Sequence, residues 1–142
     1  MNDVAIRLAR GDDAETIEAV INQWTRTDKR RERVEKIREA LRRDGYKIMV
    51  AELEGKMVGV LLMVLYPDVM FGDDGSHILF LLVDKDHRRK GVASKLLEKA
   101  IETAKGEGAA EVHVDTMNPE AEQLYRERGF KDDGAMLCLG PL

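Results

Sequence analysis

A chain of 142 residues has room for one domain with a hydrophobic core and is too short for two domains of ordinary size. Its composition, 44% hydrophobic and 35% charged, is that of a folded globular protein and excludes a disordered chain. A net charge of −4 provides no overall cationic field, so we expect neither a nucleic-acid partner nor membrane binding. Cys138 is the single cysteine, which excludes an internal disulfide. Because no secretion signal is recognised, we expect one cytoplasmic domain over residues 1–142.

Periodicity in the first 45 residues predicts one strand followed by two helices. Residues 4–8 alternate between apolar and polar side chains, as in a strand. Asp12 and Glu15 have the spacing of a capping box that opens a helix. Apolar residues at three- and four-residue spacing predict a second helix over residues 28–43.

The next segment predicts three strands. Residues 46–53 and 56–66 are rich in β-branched and other apolar residues on either side of a Glu-Gly pair, which indicates a hairpin. Pro67 is expected to end the second strand. Residues 72–75, Gly-Asp-Asp-Gly, predict a turn, and the unbroken apolar run 78–83 predicts a central strand buried on both faces.

The last third of the chain predicts helix, strand, helix and strand. Residues 93–105 carry an apolar stripe, and residues 111–115 alternate as a strand. Residues 118–128 begin with Asn-Pro, a favoured helix start, and end before a glycine. With a last strand over residues 136–139, the element order is that of a mixed α/β domain.

The loop between strand 78–83 and the helix that follows it has the features of an anion site. A helix N-terminus presents backbone N–H groups that lack intrahelical acceptors, Gly91 permits close approach of the backbone, and Ala93 adds little bulk. On these residues alone, the alternative is a basic loop that only caps the helix. The P-loop and dinucleotide patterns are excluded because their characteristic residues are absent. The loop residues are Arg88, Arg89, Lys90, Gly91, Val92, Ala93 and Ser94.

A second motif follows the loop after one helix and one strand. It reads Asn118-x-x-Ala121-x-x-Leu124-Tyr125-x-x-x-Gly129-Phe130. Together the two motifs resemble those of the GNAT acetyltransferase superfamily. Arg88-x-x-Gly91-x-Ala93 is similar to the Gln/Arg-x-x-Gly-x-Gly/Ala pyrophosphate loop of that family, and the second motif is similar to its downstream helix. Lys85 and Arg89 depart from the family, which often has proline and glycine at these positions.

The resemblance implies the acyl-CoA N-acyltransferase fold, with a mixed, mostly antiparallel sheet flanked by about four helices, and acetyl-CoA as cosubstrate. In this family the pantetheine arm lies beside the strand corresponding to residues 78–83, which splays from the next strand and opens an acyl pocket. Tyr125 matches the family's general acid for the departing thiolate. The cofactor-binding residues that the resemblance implies are Leu81, Leu82, Val83, Arg88, Arg89, Lys90, Gly91, Val92, Ala93, Ser94 and Asn118.

The general base is left open by the sequence. Many relatives carry a glutamate in the central strand, whereas residues 78–81 contain no acid. The candidates are His77, His113, Asp115 and a water relay. Because the histidines are scattered without a second ligand at metal spacing, no metal site is predicted.

Two classes of function remain. The first is an acetyl-CoA-dependent N-acetyltransferase in which a primary amine of a small molecule, peptide or protein attacks directly in a ternary complex. The second is a CoA-binding sensor or interaction module with little or no turnover, which the missing strand acid allows. Tyr125 favours the enzyme. The basic stretch 29–43 is interpreted as a solvated helix face, since interleaved glutamates can pair with its bases at helical spacing. The resemblance also suggests a homodimer.

Overall fold

The computed structural model describes residues 3–116, 119–134 and 136–142, which form a five-stranded sheet with helices packed on both faces. The mixed α/β architecture predicted from the sequence is confirmed. Two short 3₁₀ turns, Gly11–Asp13 and Lys85–His87, lie between the longer elements. In chain order the strands and α-helices are β1 Ala5–Leu8, α1 Ala14–Asn22, α2 Arg30–Arg42, β2 Tyr46–Leu53, β3 Lys56–Asp68, β4 Asp73–Val83, α3 Val92–Gly106, β5 Ala109–Val114 and α4 Pro119–Glu127.

The strands follow the order of the chain across the sheet, β1-β2-β3-β4-β5. The first three pairings are antiparallel, and β4 pairs with β5 in parallel. The crossover from β4 to β5 is made by α3, as a parallel connection requires. The predicted mixed and mostly antiparallel sheet is therefore confirmed, although β4 is the fourth of the five strands rather than the middle one.

Alternation along β2 supplies two hydrophobic cores. Met49 and Ala51 face α3 and α4, whereas Ile48 and Val50 face α1 and α2. All four of these side chains are at most 4% exposed. Successive side chains of a strand face opposite sides of the sheet, so β2 contributes to both cores, and one pair of helices packs on each face.

Helix α3 carries the apolar stripe that its sequence predicts, and that stripe packs the helix against the sheet. Leu96 and Leu97 are fully buried, and a buried leucine contributes roughly 1.5–3 kcal/mol. Gly59 of β3 lies directly beneath the first turn: a Cβ there would approach Val92 Cγ1 to 2.8 Å and Leu96 Cδ1 to 2.9 Å. The N-terminus of α3 therefore rests closely against the sheet.

Helices α1 and α2 are joined through a buried carboxylate. Glu18 is 3% exposed and accepts hydrogen bonds from Arg30 Nη2 at 2.6 Å and from Arg33 Nη1 at 3.1 Å. The hydrogen bond from Arg30 is the main cause that lowers the pKa of Glu18. The basic stretch is thus only partly the solvated face expected from the sequence, because two of its arginines bind the neighbouring helix.

The predicted capping box at Asp12 and Glu15 is wrong. Asp13 takes that role: its carboxylate accepts a hydrogen bond from the Arg10 backbone N–H at 2.7 Å and another from Arg7 Nη1 at 2.8 Å. A 3₁₀ turn precedes α1, so the helix begins one residue later than the spacing suggests. The bonds with Arg7 are the main cause that lowers the pKa of Asp13.

The hairpin between β3 and β4 is longer than predicted. Pro67 pairs with Asp74 and Asp68 with Asp73, so most of the expected turn 72–75 belongs to β4. Pro67 is tolerated because β2 pairs with β3 only as far as Val64, which leaves β3 at the edge of the sheet beyond that point.

The predicted strand over residues 136–139 is also wrong. Residues 136–142 form no strand, and Leu137 and Leu139 are 92% and 87% exposed. An alternating apolar segment becomes a strand only where a neighbouring edge pairs with its backbone, and none of the described strands pairs with this segment. No helix within the described residues has both the length and the apolar character needed to cross a bilayer.

Candidate active site

The loop before α3 ends in a helix N-terminus without a side-chain cap. Gly91 is the N-cap residue, with φ 78° and ψ 9°, and having no side chain it makes no cap hydrogen bond to the first turn. Arg89 also has positive φ, 62°, where many members of the resembled family have glycine. The first N–H groups of a helix have no intrahelical acceptors, so the start of α3 is suited to bind an anion.

A cavity of about 250 Å³, which we call the cofactor groove, lies between the end of β4, this loop and α4. Sites for drug-sized ligands are about 300–1,000 Å³, so the groove is large enough for part of a CoA molecule but not all of it. Most of the predicted cofactor residues line it. The lining residues are Trp24, Leu81, Leu82, Val83, His87, Arg88, Arg89, Gly91, Val92, Ala93, Ser94, Glu120, Ala121 and Leu124.

Three predicted cofactor residues differ from the others in their position. The Val92 side chain is 1% exposed and packs in the core, so only the backbone of this residue is suited to a ligand. Lys90 is exposed and does not line the groove. Asn118 lies outside the described residues, and its predicted role stays a prediction.

Trp24, at the end of α1, closes one side of the groove. Its indole N–H donates a hydrogen bond to the Val83 carbonyl at 2.9 Å, so one backbone acceptor of β4 is already engaged. The Arg88 guanidinium lies over the indole, 5.1 Å from the ring centroid, and forms an ion pair with Glu120 of α4. Arg88 therefore connects α1, the loop and α4.

Asp84 organises the backbone between β4 and the loop, a role that the sequence did not reveal. Its carboxylate accepts hydrogen bonds from Gln23 Nε2 at 2.9 Å, His87 Nδ1 at 3.0 Å and the Asp86 N–H at 2.9 Å. Burial raises the pKa of this group, but the three hydrogen bonds outweigh burial and lower the pKa to about 2. The bond to Asp86 is an Asx turn, which the sequence Asp-Lys-Asp could have indicated.

Strands β4 and β5 separate beside the groove. Their parallel pairing ends at Ile78 and Val114, whereas β4 continues to Val83 with β3 as its partner. This is the divergence that the resemblance implied. The predicted burial of β4 on both faces is wrong, because Leu79 is 48% exposed where the β5 partner ends. Unpaired backbone groups along this edge are available to a ligand.

Tyr125 lies on the buried face of α4. It is 4% exposed, and its ring packs at 5.4 Å from that of Phe130. Burial raises the pKa of the Tyr125 phenol to about 12, so the phenol stays protonated at neutral pH and can act as a proton donor. Ala121 and Leu124 of the same helix line the cofactor groove, whereas Tyr125 lines a larger hollow of about 1120 Å³ along β5.

The larger hollow also contains two of the histidines. His77 and His113 are opposite each other in the β4–β5 register, with ring centroids 6.3 Å apart. His77 Nε2 lies 3.0 Å from Asp115 Oδ2. His113 Nε2 lies 2.8 Å from Asp133 Oδ2 and 3.2 Å from Glu111 Oε2. We call these five residues the histidine cluster.

The expectation that the histidines are scattered is therefore wrong for two of the three. The possible ligand atoms of Glu111, His113 and Asp133 lie within 4.8 Å of one another, a grouping that sequence spacing did not suggest. Glu111 and His113 are two residues apart on β5, and the segment after α4 brings Asp133 to them, whereas the β4–β5 register brings His77 to His113. Neither long-range contact is visible in the sequence.

Comparison with known proteins agrees with this geometry. Residues 12–130 match the model of the acetyltransferase (GNAT) family. Human N-acetyltransferase 8 is 34% identical over 87 residues, which cover 60% of this chain and 38% of that protein. Because the family model matches most of the sequence, the chain belongs to the GNAT family. The match covers well under half the length of the human relative.

Solved structures support the same fold. A transcriptional regulator from Bacillus halodurans superposes with a TM-score of 0.88 at 24% identity, covering 97% of this chain and 99% of that one. The aminoglycoside N-acetyltransferase AAC(6')-Iy in complex with CoA superposes with a TM-score of 0.85 at 18% identity, covering 99% of this chain and 96% of that one. At these identities the likeness concerns the fold alone.

Proposed function

We propose that this protein transfers the acetyl group of acetyl-CoA to a primary amine by direct attack of the amine in a ternary complex. Acetyl-CoA supplies the activated acyl group as a thioester. The observation that carries the proposal is the position of the uncapped N-terminus of α3 at the end of β4, where that strand separates from β5. One groove thus combines an anion site with an unpaired strand edge.

The start of α3 is suited to hold the pyrophosphate of CoA. Backbone N–H groups of residues 91–94 provide the donors, and the positive φ of Gly91 directs this turn without a side chain in the way. Arg88 and Arg89 add positive charge at the rim of the groove. The N–H groups are neutral dipoles and the two arginines are cations, and the turn contains no acidic residue. These donors therefore suit a diphosphate.

The edge of β4 is suited to hold the pantetheine arm. Leu81 and Leu82 lie beyond the last residue that pairs with β5, so their backbone groups on that side can bind the amides of the arm in the manner of an added strand. A backbone N–H near Leu81 can also polarise the thioester carbonyl. This arrangement directs the acyl group towards the opening between the two strands.

Tyr125 is the proposed general acid. A thiol titrates near pH ~8.5, so the departing thiolate of CoA is stabilised by a donated proton. With its pKa raised to about 12 by burial, the phenol keeps its proton throughout the physiological range. Tyr125 lies on the helix whose Ala121 and Leu124 line the groove, and it lines the larger hollow itself, which supports this role.

The acceptor is a primary amine on a small molecule or on a peptide or protein. One structural neighbour is named an aminoglycoside N-acetyltransferase and another a ribosomal-protein-alanine N-acetyltransferase, so both kinds of acceptor occur on this fold. The larger hollow is lined by five carboxylates and by three basic side chains, Arg126, Arg128 and Lys131, and this acidic excess favours a cationic acceptor there.

The test measures thiol release from acetyl-CoA in the presence of an aminoglycoside, a polyamine and peptides with a free N-terminus or lysine. We expect release that depends on one of these amines, with the acetylated product confirmed by mass spectrometry. CoA binding without release for any acceptor would contradict the enzyme and support a CoA-binding module.

A further inference from the structure

We infer that His77 is the general base of the proposed acetyl transfer and that Asp115 positions its ring. The inference rests on the proposed function, because it concerns the amine that attacks the thioester. An alkylammonium titrates near pH ~10.4, so most of the acceptor is protonated at neutral pH and has no lone pair for attack. A group near the fork of β4 and β5 therefore has to take up a proton.

The point at which β4 and β5 separate determines which residues are candidates for the general base. The β4–β5 pairing ends at Ile78 and Val114, and His77 and Asp115 are the residues directly beside this last pair. His77 Nε2 is 3.0 Å from Asp115 Oδ2, a distance at which the carboxylate accepts the ring N–H. In the neutral ring the proton is thus on Nε2, and Nδ1 carries the lone pair.

His113 has a similar environment but lacks an available nitrogen. Its Nε2 contacts both Asp133 and Glu111, and its Nδ1 is buried without a hydrogen-bond partner in the described part of the chain. His77 differs because Asp115 engages one nitrogen only, and the buried Nδ1 of His113 has no counterpart on His77. Of the two histidines, His77 alone is suited to receive a proton from the acceptor.

The distance along β4 indicates how the proton travels. Leu81 lies four residues beyond His77, which corresponds to roughly 13 Å of extended strand. One water bridges only about 5–6 Å between heavy atoms, so we assign the transfer to a short chain of waters. The acceptor ammonium gives one proton to this chain, and the chain gives one to His77 Nδ1, which leaves a neutral amine. The C–N bond then forms as the C–S bond breaks, and the departing sulfur receives the Tyr125 proton. The extra proton on the new amide nitrogen returns to the Tyr125 phenolate.

The charged groups around His77 belong to β5 and the segment after α4. Asp115 contacts His77 directly, and His113 stacks beside it with Glu111 and Asp133 behind. By accepting the Nε2 hydrogen, the Asp115 carboxylate orients the ring for proton uptake at Nδ1. Removal of the Asp115 charge is expected to weaken that uptake without removing the base.

The experiment compares His77→Gln with His113→Gln, which removes the neighbouring ring of the same cluster. Loss of a general base typically costs about 10²–10⁴-fold, so we expect His77→Gln to lower kcat/KM by about 100-fold or more and to remove the acidic limb of the pH–rate profile. CoA affinity, measured by calorimetry, should remain within about twofold, because the histidine is remote from the groove. His113→Gln removes a ring that lines the hollow but is not the base, so kcat/KM should fall by about tenfold at most and the acidic limb should be retained.

Two further variants separate a chemical role from a structural one. Asp115→Asn should lower kcat/KM by about tenfold and shift the acidic limb, because the ring loses its orienting charge. External imidazole should restore part of the rate to His77→Ala. A normal rate and pH profile in His77→Gln, or an equal loss in His113→Gln, would overturn the assignment. Absence of thiol release from the wild-type protein would instead refute the proposed function, and the base assignment with it.

Discussion

The cofactor groove and the histidine cluster both use β4 but are built by different means. The groove uses backbone groups of a nearly continuous segment, residues 81–94, closed by α1 and α4. The cluster uses side chains from β4, β5 and the segment after α4, which are as far apart in the chain as His77 and Asp133. A groove of backbone dipoles tolerates most side-chain changes, whereas a cluster of side chains depends on each one.

This difference determines where a substitution should act. In the groove, a large effect requires a change in backbone conformation or a charge placed against the ligand. At the fork between β4 and β5, removal of a single functional group is enough. The following variants test that division, beginning with the largest expected effect.

Gly91→Asp should abolish CoA binding. The new carboxylate would stand at the N-terminus of α3, where it repels the pyrophosphate and accepts the N–H groups intended for it. We expect a loss in CoA affinity of about 100-fold or more by calorimetry, or about 2.7 kcal/mol.

Gly55→Asp is the matched control for this variant. Gly55 also has φ 78° and nothing within 4 Å of an added Cβ, but it lies in the β2–β3 turn. Both variants carry the same backbone strain, so a difference between them reports the ligand site. CoA binding within about threefold of wild type in Gly91→Asp would contradict the groove assignment.

Tyr125→Phe should lower turnover while leaving the groove intact. The phenyl ring keeps its packing against Phe130, and only the proton donor is lost. We expect kcat to fall by about 10–100-fold with CoA affinity within about twofold, as for an interaction made in the transition state. Tyr46→Phe controls for the loss of a hydroxyl elsewhere. An unchanged kcat would remove Tyr125 from the chemistry.

Asp84→Asn should destabilise the protein in a pH-dependent way. The folded-state pKa is about 2, below the ordinary value of 3.8, so the ionised carboxylate stabilises the fold above pH 3.8 and this contribution disappears as pH falls towards 2. A difference of nearly two pKa units corresponds to about 2 kcal/mol. Urea unfolding at several pH values should show that deficit at pH 6 and little near pH 2.

Asp86→Asn serves as the control for Asp84→Asn. The Asp86 side chain is exposed, and its contribution to the Asx turn is its backbone N–H, so this variant should keep wild-type stability. A deficit in Asp84→Asn that stays constant with pH would contradict the ionic account. It would point to loss of packing instead.

The sequence predicted the groove better than the cluster, for physical reasons. Strand, loop and helix are consecutive, and the stripe containing Leu96 and Leu97 fixes which face of α3 is buried. The local sequence pattern is therefore enough to predict this site. The pairing of His77 with His113 depends on the register of two parallel strands, which nothing in either strand specifies alone.

The errors in the fold have the same origin. Pro67 is predicted to end β3, but β4 still pairs with this part of the strand. The missing N–H of Pro67 costs nothing on the other side, because β2 stops at Val64. Residues 136–139 alternate like a strand but have no edge to pair with. In both cases the decisive fact is the presence or absence of a neighbouring strand. Such facts belong to the sheet rather than to the segment.

Arg88→Gln should have the smallest effect, even though Arg88 is the first residue of the motif. Its guanidinium already pairs with Glu120 and lies over Trp24, so binding of an anion exchanges one partner for another. Exposed ion pairs contribute about 0–1 kcal/mol, and we therefore expect CoA affinity to fall by about threefold, with a weaker dependence on salt. Arg128→Gln, which removes a comparable ion pair with Glu98 outside the groove, should leave the affinity unchanged. A loss above about 30-fold in Arg88→Gln would show that a side chain, not the backbone, holds the pyrophosphate. The contrast between the two sites would then no longer hold.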